Sequence, residues 1–286
     1  MYGSEANFTL ALSFTVESSS SSGIVHSHDD SATRTRKIIL LVVACMLLTL
    51  IVAPLSTQLS AVAPILNTLY PSGAGYDARR ALARDAALSR STTTSAAGIP
   101  LAGDGMVYGE FDLAFLARLL EAAEPQKGDT FVDLGSGCGR AVLGAALLRP
   151  HTWAECVGLE CLPELHAEAI NSRVRLDELP ELAATPIAPV GYTCADLWGE
   201  EAEAPLAAAN VAFSYSVTWE SEEGYLTTLS SLLARRLSDG ARACTVDLKL
   251  RSDADASFDL LATVTGCNPE TGEGTVGYVW RVRKPP

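Results

Sequence analysis

One short run of the sequence has the composition of a ligand-binding loop: Asp133-Leu134-Gly135-Ser136-Gly137-Cys138-Gly139. The run follows a short apolar stretch and precedes a helical pattern that begins at Arg140. Glycines after a strand allow the backbone to approach a ligand closely, and the N-terminus of the next helix offers unpaired N–H groups. Because dinucleotide-binding folds share such loops, the run alone predicts only a nucleotide-like ligand.

Two acidic residues narrow the identity of this ligand. The glycine spacing is G-x-G-x-G, and Arg140 stands where a dinucleotide fingerprint has its third glycine. The Asp133 carboxylate would repel a pyrophosphate but can pair with the ammonium group of a methionine moiety. Glu160 ends the next predicted strand and can accept hydrogen bonds from both hydroxyls of a ribose. The pattern predicts S-adenosyl-L-methionine as the cofactor, bound by Asp133, Gly135, Ser136, Gly137, Gly139 and Glu160.

Asp196 and Leu197 follow the third predicted strand and complete the predicted cofactor set. A carboxylate at this position can accept a hydrogen bond from the exocyclic amine of an adenine. Structural alternatives stay open for the acids. Asp133 and Asp196 are also typical of turns or helix caps, and Glu160 is typical of a solvated strand end.

Helical and strand patterns alternate along the C-terminal two thirds of the sequence, which predicts an α/β fold with a mostly parallel sheet and helices on both faces. Helices are predicted at Phe111 to Ala123, Arg140 to Leu148, Glu164 to Leu176 and Gly224 to Leu237. Strands are predicted at Thr130 to Leu134, Glu155 to Leu159, Gly191 to Ala195, Val211 to Tyr215 and Ala241 to Leu248, followed by an antiparallel pair at Phe258 to Val264 and Thr275 to Val282.

A second motif, Tyr108-Gly109-Glu110, lies upstream of the glycine loop and narrows the family. Together with Asp129 to Gly137, it resembles the Disruptor of telomeric silencing family, the non-SET histone-lysine methyltransferases among the class I, seven-strand S-adenosylmethionine-dependent enzymes. The resemblance covers about residues 106–250. It implies a Rossmann-like seven-strand methyltransferase sheet and cofactor contacts by Tyr108 and Glu110, with Glu110 on the cofactor ammonium. On residue type alone, Glu110 is also a helix first-turn acid.

The resemblance also implies methylation of a protein lysine. The family has an Asn-rich, Phe-containing segment near the reacting amine, whereas the matching stretch here, Phe213 to Trp219, contains no asparagine. Tyr215 and Trp219 are therefore the candidate catalytic residues, as walls of a narrow channel for the acceptor. Two other functions stay open: methylation of a small molecule, and a membrane-tethered module that binds the cofactor without turnover.

Charge favours a basic partner and argues against nucleic acid. The chain has a net charge of −13, and residues 101–286 hold 14 Lys plus Arg against 28 Asp plus Glu. A surface of this sign is repelled by phosphates, so no direct nucleic-acid binding is expected and a basic protein is the predicted substrate. None of the seven cysteines forms a CxxC pair, so no metal site is predicted.

The N-terminal third divides into three predicted segments before a methyltransferase domain at 104–286. Residues 1–37 are polar and predicted to be disordered. Residues 38–58 are predicted to be a transmembrane helix or targeting segment, because Ile38 to Leu55 carries no charge and follows Arg34-Thr35-Arg36-Lys37. A single-pass membrane anchor is the favoured interpretation. The alternatives are a cleaved organelle-targeting leader and a core helix. Residues 59–103 are predicted to be a linker, with a short helix at Ala78 to Leu88.

Overall fold

The computed structural model describes residues 55–90, 108–179, 185–215, 219, 221–253, 255–268 and 272–285. The segment predicted to be disordered, 1–37, lies outside these residues, and so does all of the predicted membrane segment 38–58 except its last four residues. Within the described ranges, no helix combines the length and the apolar character that crossing a bilayer requires.

Seven strands form one sheet in the order β3-β2-β1-β4-β5-β7-β6. Five neighbouring strands run parallel, and β7 lies antiparallel between β5 and β6. The strands are β1 (Asp129–Leu134), β2 (Trp153–Glu160), β3 (Val190–Cys194), β4 (Val211–Ser214), β5 (Arg242–Val246), β6 (Ser257–Cys267) and β7 (Gly274–Arg283). This confirms the predicted α/β, Rossmann-like sheet and its antiparallel closing pair.

Seven α-helices connect or flank these strands among the described residues. They are α1 (Leu55–Leu69), α2 (Ala74–Ser89), α3 (Leu113–Ala122), α4 (Arg140–Leu148), α5 (Pro163–Glu178), α6 (Glu203–Ala208) and α7 (Thr227–Arg236). One 3₁₀ turn, Glu200–Ala202, precedes α6. The predicted start of α3 at Phe111 moves to Leu113, because the Asp112 side chain caps the helix by accepting from the Phe115 N–H at 2.7 Å.

The sheet is covered by apolar side chains on both faces, as the alternation of elements predicts. Alternate residues of β1 point to opposite faces. Phe131 packs into the cluster that contains side chains of α1, α3 and α4, and Val132 packs into the cluster that contains side chains of α6 and α7. Asp133 shares the face of Phe131, so its carboxylate lies on the side of α3 and α4.

The predicted linker is helical over most of residues 59–89, which form most of α1 and the whole of α2. The short helix predicted at Ala78 to Leu88 lies within α2. The composition of residues 59–89, with glycine, proline and small residues, favours a linker, yet Val62, Leu66 and Leu69 are buried in the same cluster as the side chains of α3 and α4. Pro64 lies inside α1, where a proline removes a backbone donor and disfavours a helix. Burial of this apolar face stabilises a helix that local propensity disfavours.

Two polar contacts attach this N-terminal pair of helices to the rest of the fold. The Tyr70 hydroxyl donates to the Cys138 carbonyl at 2.9 Å, in the middle of the glycine loop. Arg90 donates twice to the Glu164 carboxylate, at 3.0 and 3.3 Å, at the start of α5. The helix pair is therefore bound directly to the elements that form the predicted cofactor site.

Candidate active site

A cavity lies at the carboxyl ends of β1, β2 and β4. The strand order reverses between β1 and β4, and in open α/β sheets ligands bind at this switch point. Nine of the predicted site residues line the cavity together, although they are distant in sequence: Tyr108, Glu110, Asp133, Gly135, Ser136, Gly137, Glu160, Tyr215 and Trp219. The structure thus brings seven of the ten predicted cofactor-binding residues and both predicted acceptor-channel residues to one cavity.

Asp133 and Glu160 are buried carboxylates side by side at the ends of adjacent strands. Glu160 accepts hydrogen bonds from the N–H groups of Gly137 and Leu162, each at 2.8 Å. Asp133 is 3% exposed, and its carboxylate accepts no hydrogen bond from the residues that the structure describes. Burial, with the nearby charge of Glu160 as a smaller cause, raises the pKa of Asp133 to about 8.

Aromatic rings cover the glycine loop. The ring of Tyr108 lies against Gly137, where a Cβ would be 2.8 Å from the Tyr108 Cε2, and Gly137 has a φ of +54°. Trp219 lies over Gly135 in the same way, with its Cζ2 3.3 Å from the position of a Cβ. The loop therefore needs glycine both for its backbone conformation and for the close approach of these rings.

Glu110 is the centre of a charged cluster. Its Oε1 accepts from Arg79 Nε at 2.6 Å and from the Tyr108 hydroxyl at 3.0 Å. Its Oε2 lies 3.5 Å from Arg140 Nε. Arg79 belongs to α2 and is 7% exposed, so a residue from the predicted linker fixes the orientation of the predicted cofactor ligand.

Aromatic side chains form another part of the cavity wall. The ring centroid of Phe111 lies 5.0 Å from that of Tyr215 and 5.1 Å from that of Phe213. Trp219 pairs with Trp198 at 6.3 Å between centroids. Tyr215 and Trp219, predicted as channel residues, lie on this apolar wall, and Phe111 and Phe213 extend it.

Three predicted cofactor residues are not in the cavity wall. Gly139 begins α4 with a φ of +82° and lies against the ring of Tyr192. Asp196 accepts from the Trp198 N–H at 3.1 Å, which is the turn role left open above, and Leu197 is buried in the cluster beside Val132. A contact between Asp196 and an adenine therefore stays a prediction.

Several wall residues are missing from the sequence-based set. They are Ala83, Gly109, Phe111, Arg140, Ala141, Cys161, Leu162, Leu165, Phe213 and Asn268. Arg140 could have been found from the sequence. A cation in the first turn of a helix interacts unfavourably with the helix dipole, so its presence there suggests a functional role. Ala83 carries no such signal, since its position depends on the packing of α2.

The residues of the cavity fit S-adenosylmethionine, which is a cation at its sulfonium and carries an ammonium group. Three carboxylates, Glu110, Asp133 and Glu160, line a cavity in which Asp133 has no cationic partner among the described residues. Buried charge of this kind requires compensation. The hydroxyl of Ser136 and the Nε of Arg140 are buried without a hydrogen bond within the same described residues, so the site also offers unused donors.

A family model matches the part of the chain that contains most of this cavity. Residues 101–211, less than half of the chain, match the family model described as DOT1, "Histone methylation protein DOT1". The matched range contains all the predicted cofactor residues. The match confirms, over those residues, the family resemblance predicted from the sequence. No curated protein gives a significant match to the chain.

Distant likenesses to solved structures accompany the family match. An RNA methyltransferase from Salinibacter ruber, in complex with S-adenosyl-L-homocysteine, is 20% identical, with a TM-score of 0.38 over 62% of this chain and 95% of that one. A SAM-dependent methyltransferase from Thiobacillus denitrificans, in complex with the same ligand, is 14% identical, with a TM-score of 0.41 over 61% and 92%. TrmN from Thermus thermophilus is 16% identical, with a TM-score of 0.43 over 62% and 50%. Likenesses this distant say nothing about the acceptor.

Proposed function

We propose that this chain, an S-adenosylmethionine-dependent methyltransferase, transfers the methyl group to a lysine amine of a basic protein. One observation carries the proposal: the donor carboxylates and the aromatic wall of Phe111, Tyr215 and Trp219 line the same cavity. The matching family model, which describes a histone methylation protein, and the net charge of −13 both favour a basic protein acceptor.

In the proposed donor site, Glu160 takes the ribose hydroxyls, Asp133 and Glu110 take the positive charge of the methionine end, and the glycine loop accommodates the remainder. When bound, S-adenosylmethionine supplies a methyl group on a sulfonium, which is already an activated leaving group. The protein then has to align donor and acceptor and exclude water. Tyr108 and Trp219 are placed to exclude water, because their rings pack against the glycine loop.

The aromatic wall has a separate task in this proposal. A lysine amine has a pKa near 10.4 in water and must lose a proton before it can attack. Desolvation between apolar rings lowers that pKa, because it disfavours the charged form. We infer that Tyr215 and Trp219, with Phe111 behind Tyr215, hold the amine in such surroundings.

Labelled donor tests the acceptor class. The full chain is incubated with S-adenosylmethionine labelled in its methyl group, first with core histones and then with a whole-cell lysate. Label in lysine residues of protein bands supports the proposal, and label only in small molecules contradicts it in favour of a metabolite acceptor. An Asp133→Asn variant is the control and should give no label in either case.

Attachment to a membrane through Ile38 to Leu55 is a further part of the proposal. Its support is the uncharged stretch of eighteen residues after a basic flank. The expected result is that the full chain stays with membranes after alkaline extraction, whereas a chain of residues 54–286 is released. A mature protein whose N-terminus lies beyond residue 55 would instead support the cleaved-leader alternative.

A further inference from the structure

We propose that Arg140 binds the carboxylate of the methionine end of the donor and that Arg79 is the positioning residue that holds Glu110 for the adjacent ammonium. This inference rests on the proposed donor site and extends it to two residues that the sequence motifs do not include.

The wall of the cavity is acidic, but the methionine end of the donor carries a negative charge as well. Among the lining residues that the structure describes, Arg140 alone carries a positive charge, whereas Glu110, Asp133 and Glu160 carry carboxylates. A carboxylate brought into such surroundings without a cation would be strongly destabilised. Arg140 is therefore the side chain that can accommodate it.

The geometry of Arg140 leaves a donor available for this contact. One terminal nitrogen donates to the Phe111 carbonyl, which anchors the guanidinium. The Nε is buried and makes no hydrogen bond with any described residue, although Oε2 of Glu110 lies 3.5 Å away. Arg140 is also the first residue of α4, so the unpaired N–H groups of that helix add positive potential at the same place.

Arg79 contributes to binding of the ammonium group of the methionine end, through Glu110. It donates to Oε1 of Glu110 at 2.6 Å, and the Tyr108 hydroxyl donates to the same oxygen at 3.0 Å. The two contacts fix Glu110 through one oxygen and leave Oε2 directed toward Arg140. An ammonium group beside Oε2 and a carboxylate beside Arg140 would then lie next to each other, as they do on the α-carbon of an amino acid.

Calorimetry with three ligands distinguishes the contact to the carboxylate from the contact to the ammonium, when each ligand is bound to the full chain. S-adenosylhomocysteine carries both charged groups, decarboxylated S-adenosylmethionine carries the amine without the carboxylate, and 5′-methylthioadenosine carries neither. An Arg140→Met variant should bind S-adenosylhomocysteine about ten- to a hundredfold more weakly, the range for a charged hydrogen bond, and should bind the other two ligands as the unchanged chain does. Arg84→Met is the control, since the Arg84 side chain is 69% exposed on α2, and it should change no affinity.

The same ligands test Arg79 through Glu110. Arg79→Met and Glu110→Gln should both weaken S-adenosylhomocysteine and decarboxylated S-adenosylmethionine, and leave 5′-methylthioadenosine unchanged. Arg79→Lys should restore part of the loss, because it keeps the charge beside Glu110. If Arg79→Met weakens all three ligands alike, its role is to support the fold rather than to position Glu110.

Two further results would overturn the Arg140 assignment. One is an equal loss for all three ligands in Arg140→Met, and the other is no loss for any of them. Should Arg140→Met fail to fold, Arg140→Gln keeps a side-chain donor for the Phe111 carbonyl and is interpreted in the same way. If the unchanged chain binds none of the ligands, the proposed donor site itself is wrong, which distinguishes that failure from failure of this inference.

Discussion

At the scale of single residues, the cavity contains buried carboxylates whose charged forms are unfavourable when no ligand is bound. Asp133 is buried beside Glu160, and a buried carboxylate pair resists full ionisation because both burial and mutual repulsion disfavour the charged forms. A cation beside the pair offsets both causes, because it compensates the buried negative charge. The same arrangement that raises the pKa of Asp133 in the free protein is therefore one that favours a positively charged ligand.

The first prediction concerns stability and pH. The pKa of Asp133 is about 8 in the folded chain and about 3.9 in an unfolded one, so between these values the folded state retains a proton that the unfolded state has released. Stability that is present below pH 4 is then lost as the pH rises toward 8. Asp133→Asn removes this loss. The free energy of unfolding of the variant, relative to that of the unchanged chain, should therefore increase between about pH 5 and pH 8.

Urea unfolding of the two proteins at several pH values measures this difference. The exposed Asp85, changed to Asn, serves as the control and should show no such trend. A difference between Asp133→Asn and the unchanged chain that is constant with pH would contradict the prediction.

The second prediction concerns the close contact between Gly137 and Tyr108. In Gly137→Ala the new Cβ would lie 2.8 Å from the Tyr108 ring, so the ring has to move off the loop. We expect roughly a tenfold loss of affinity for S-adenosylhomocysteine, or about 1.4 kcal/mol. Gly128→Ala is the matched control, because Gly128 also has a positive φ, +92°, but has nothing within 4 Å of the Cβ position.

Both variants should lose about 1 to 2 kcal/mol of stability from the left-handed backbone alone. Thermal unfolding measures that shared loss, and calorimetry measures affinity. Equal affinities for the two variants would mean that Tyr108 can move without consequence for the ligand.

At the scale of elements, sequence reasoning succeeded where the signal is local. The glycine loop and the strand and helix on either side of it lie within about twenty residues, so their pattern could be recognised directly. Arg79 could not be predicted in this way. Its partner Glu110 is 31 residues away, and α2 lies in a segment whose composition favours a linker. Only the packing of α2 against the completed domain brings the two side chains together.

The third prediction follows from this packing and concerns two truncated chains. A chain of residues 54–286 keeps the contact of Tyr70 with Cys138 and that of Arg79 with Glu110. It should bind S-adenosylhomocysteine as the full chain does. A chain of residues 104–286, the domain predicted from sequence, lacks both contacts and uncovers the residues on which α1 packs, so it should lose binding and aggregate.

Calorimetry and size-exclusion chromatography of both chains make the comparison. A Tyr70→Phe variant of the full chain is a milder change, because it removes only the hydroxyl that donates to the glycine loop and keeps the ring, and it should weaken ligand binding without aggregation. Full affinity in the 104–286 chain would show that the helix pair is dispensable.

At the scale of the whole molecule, the acidic net charge is the basis for expecting a basic acceptor rather than a nucleic acid. Residues 101–286 hold twice as many acidic as basic side chains, 28 against 14, while the cavity contains a cation at Arg140. The fold class and the reaction class could be inferred from the motifs. The acceptor could not, because it depends on a surface whose charge is known but whose partner leaves no motif in the sequence.

The fourth prediction is that long-range attraction contributes to recognition of the acceptor. Methylation of a basic protein should slow several-fold when NaCl rises from about 50 to about 300 mM, since the Debye length falls below 10 Å in this range. Binding of S-adenosylhomocysteine, measured in the same buffers, should change much less, because its contacts are short and buried. A rate that does not depend on salt would argue for an uncharged acceptor.

The hydrogen bond from Tyr70 to Cys138 also sets an order of events during synthesis. Tyr70 is made 68 residues before its acceptor, which at 5 to 20 residues per second is roughly 3 to 14 seconds. Over that interval Val62, Leu66 and Leu69 emerge from the ribosome with no partner to cover them. The nascent chain thus exposes the apolar face of α1 until β1 and α4 have been made, and in that interval this face is open to contact with other proteins.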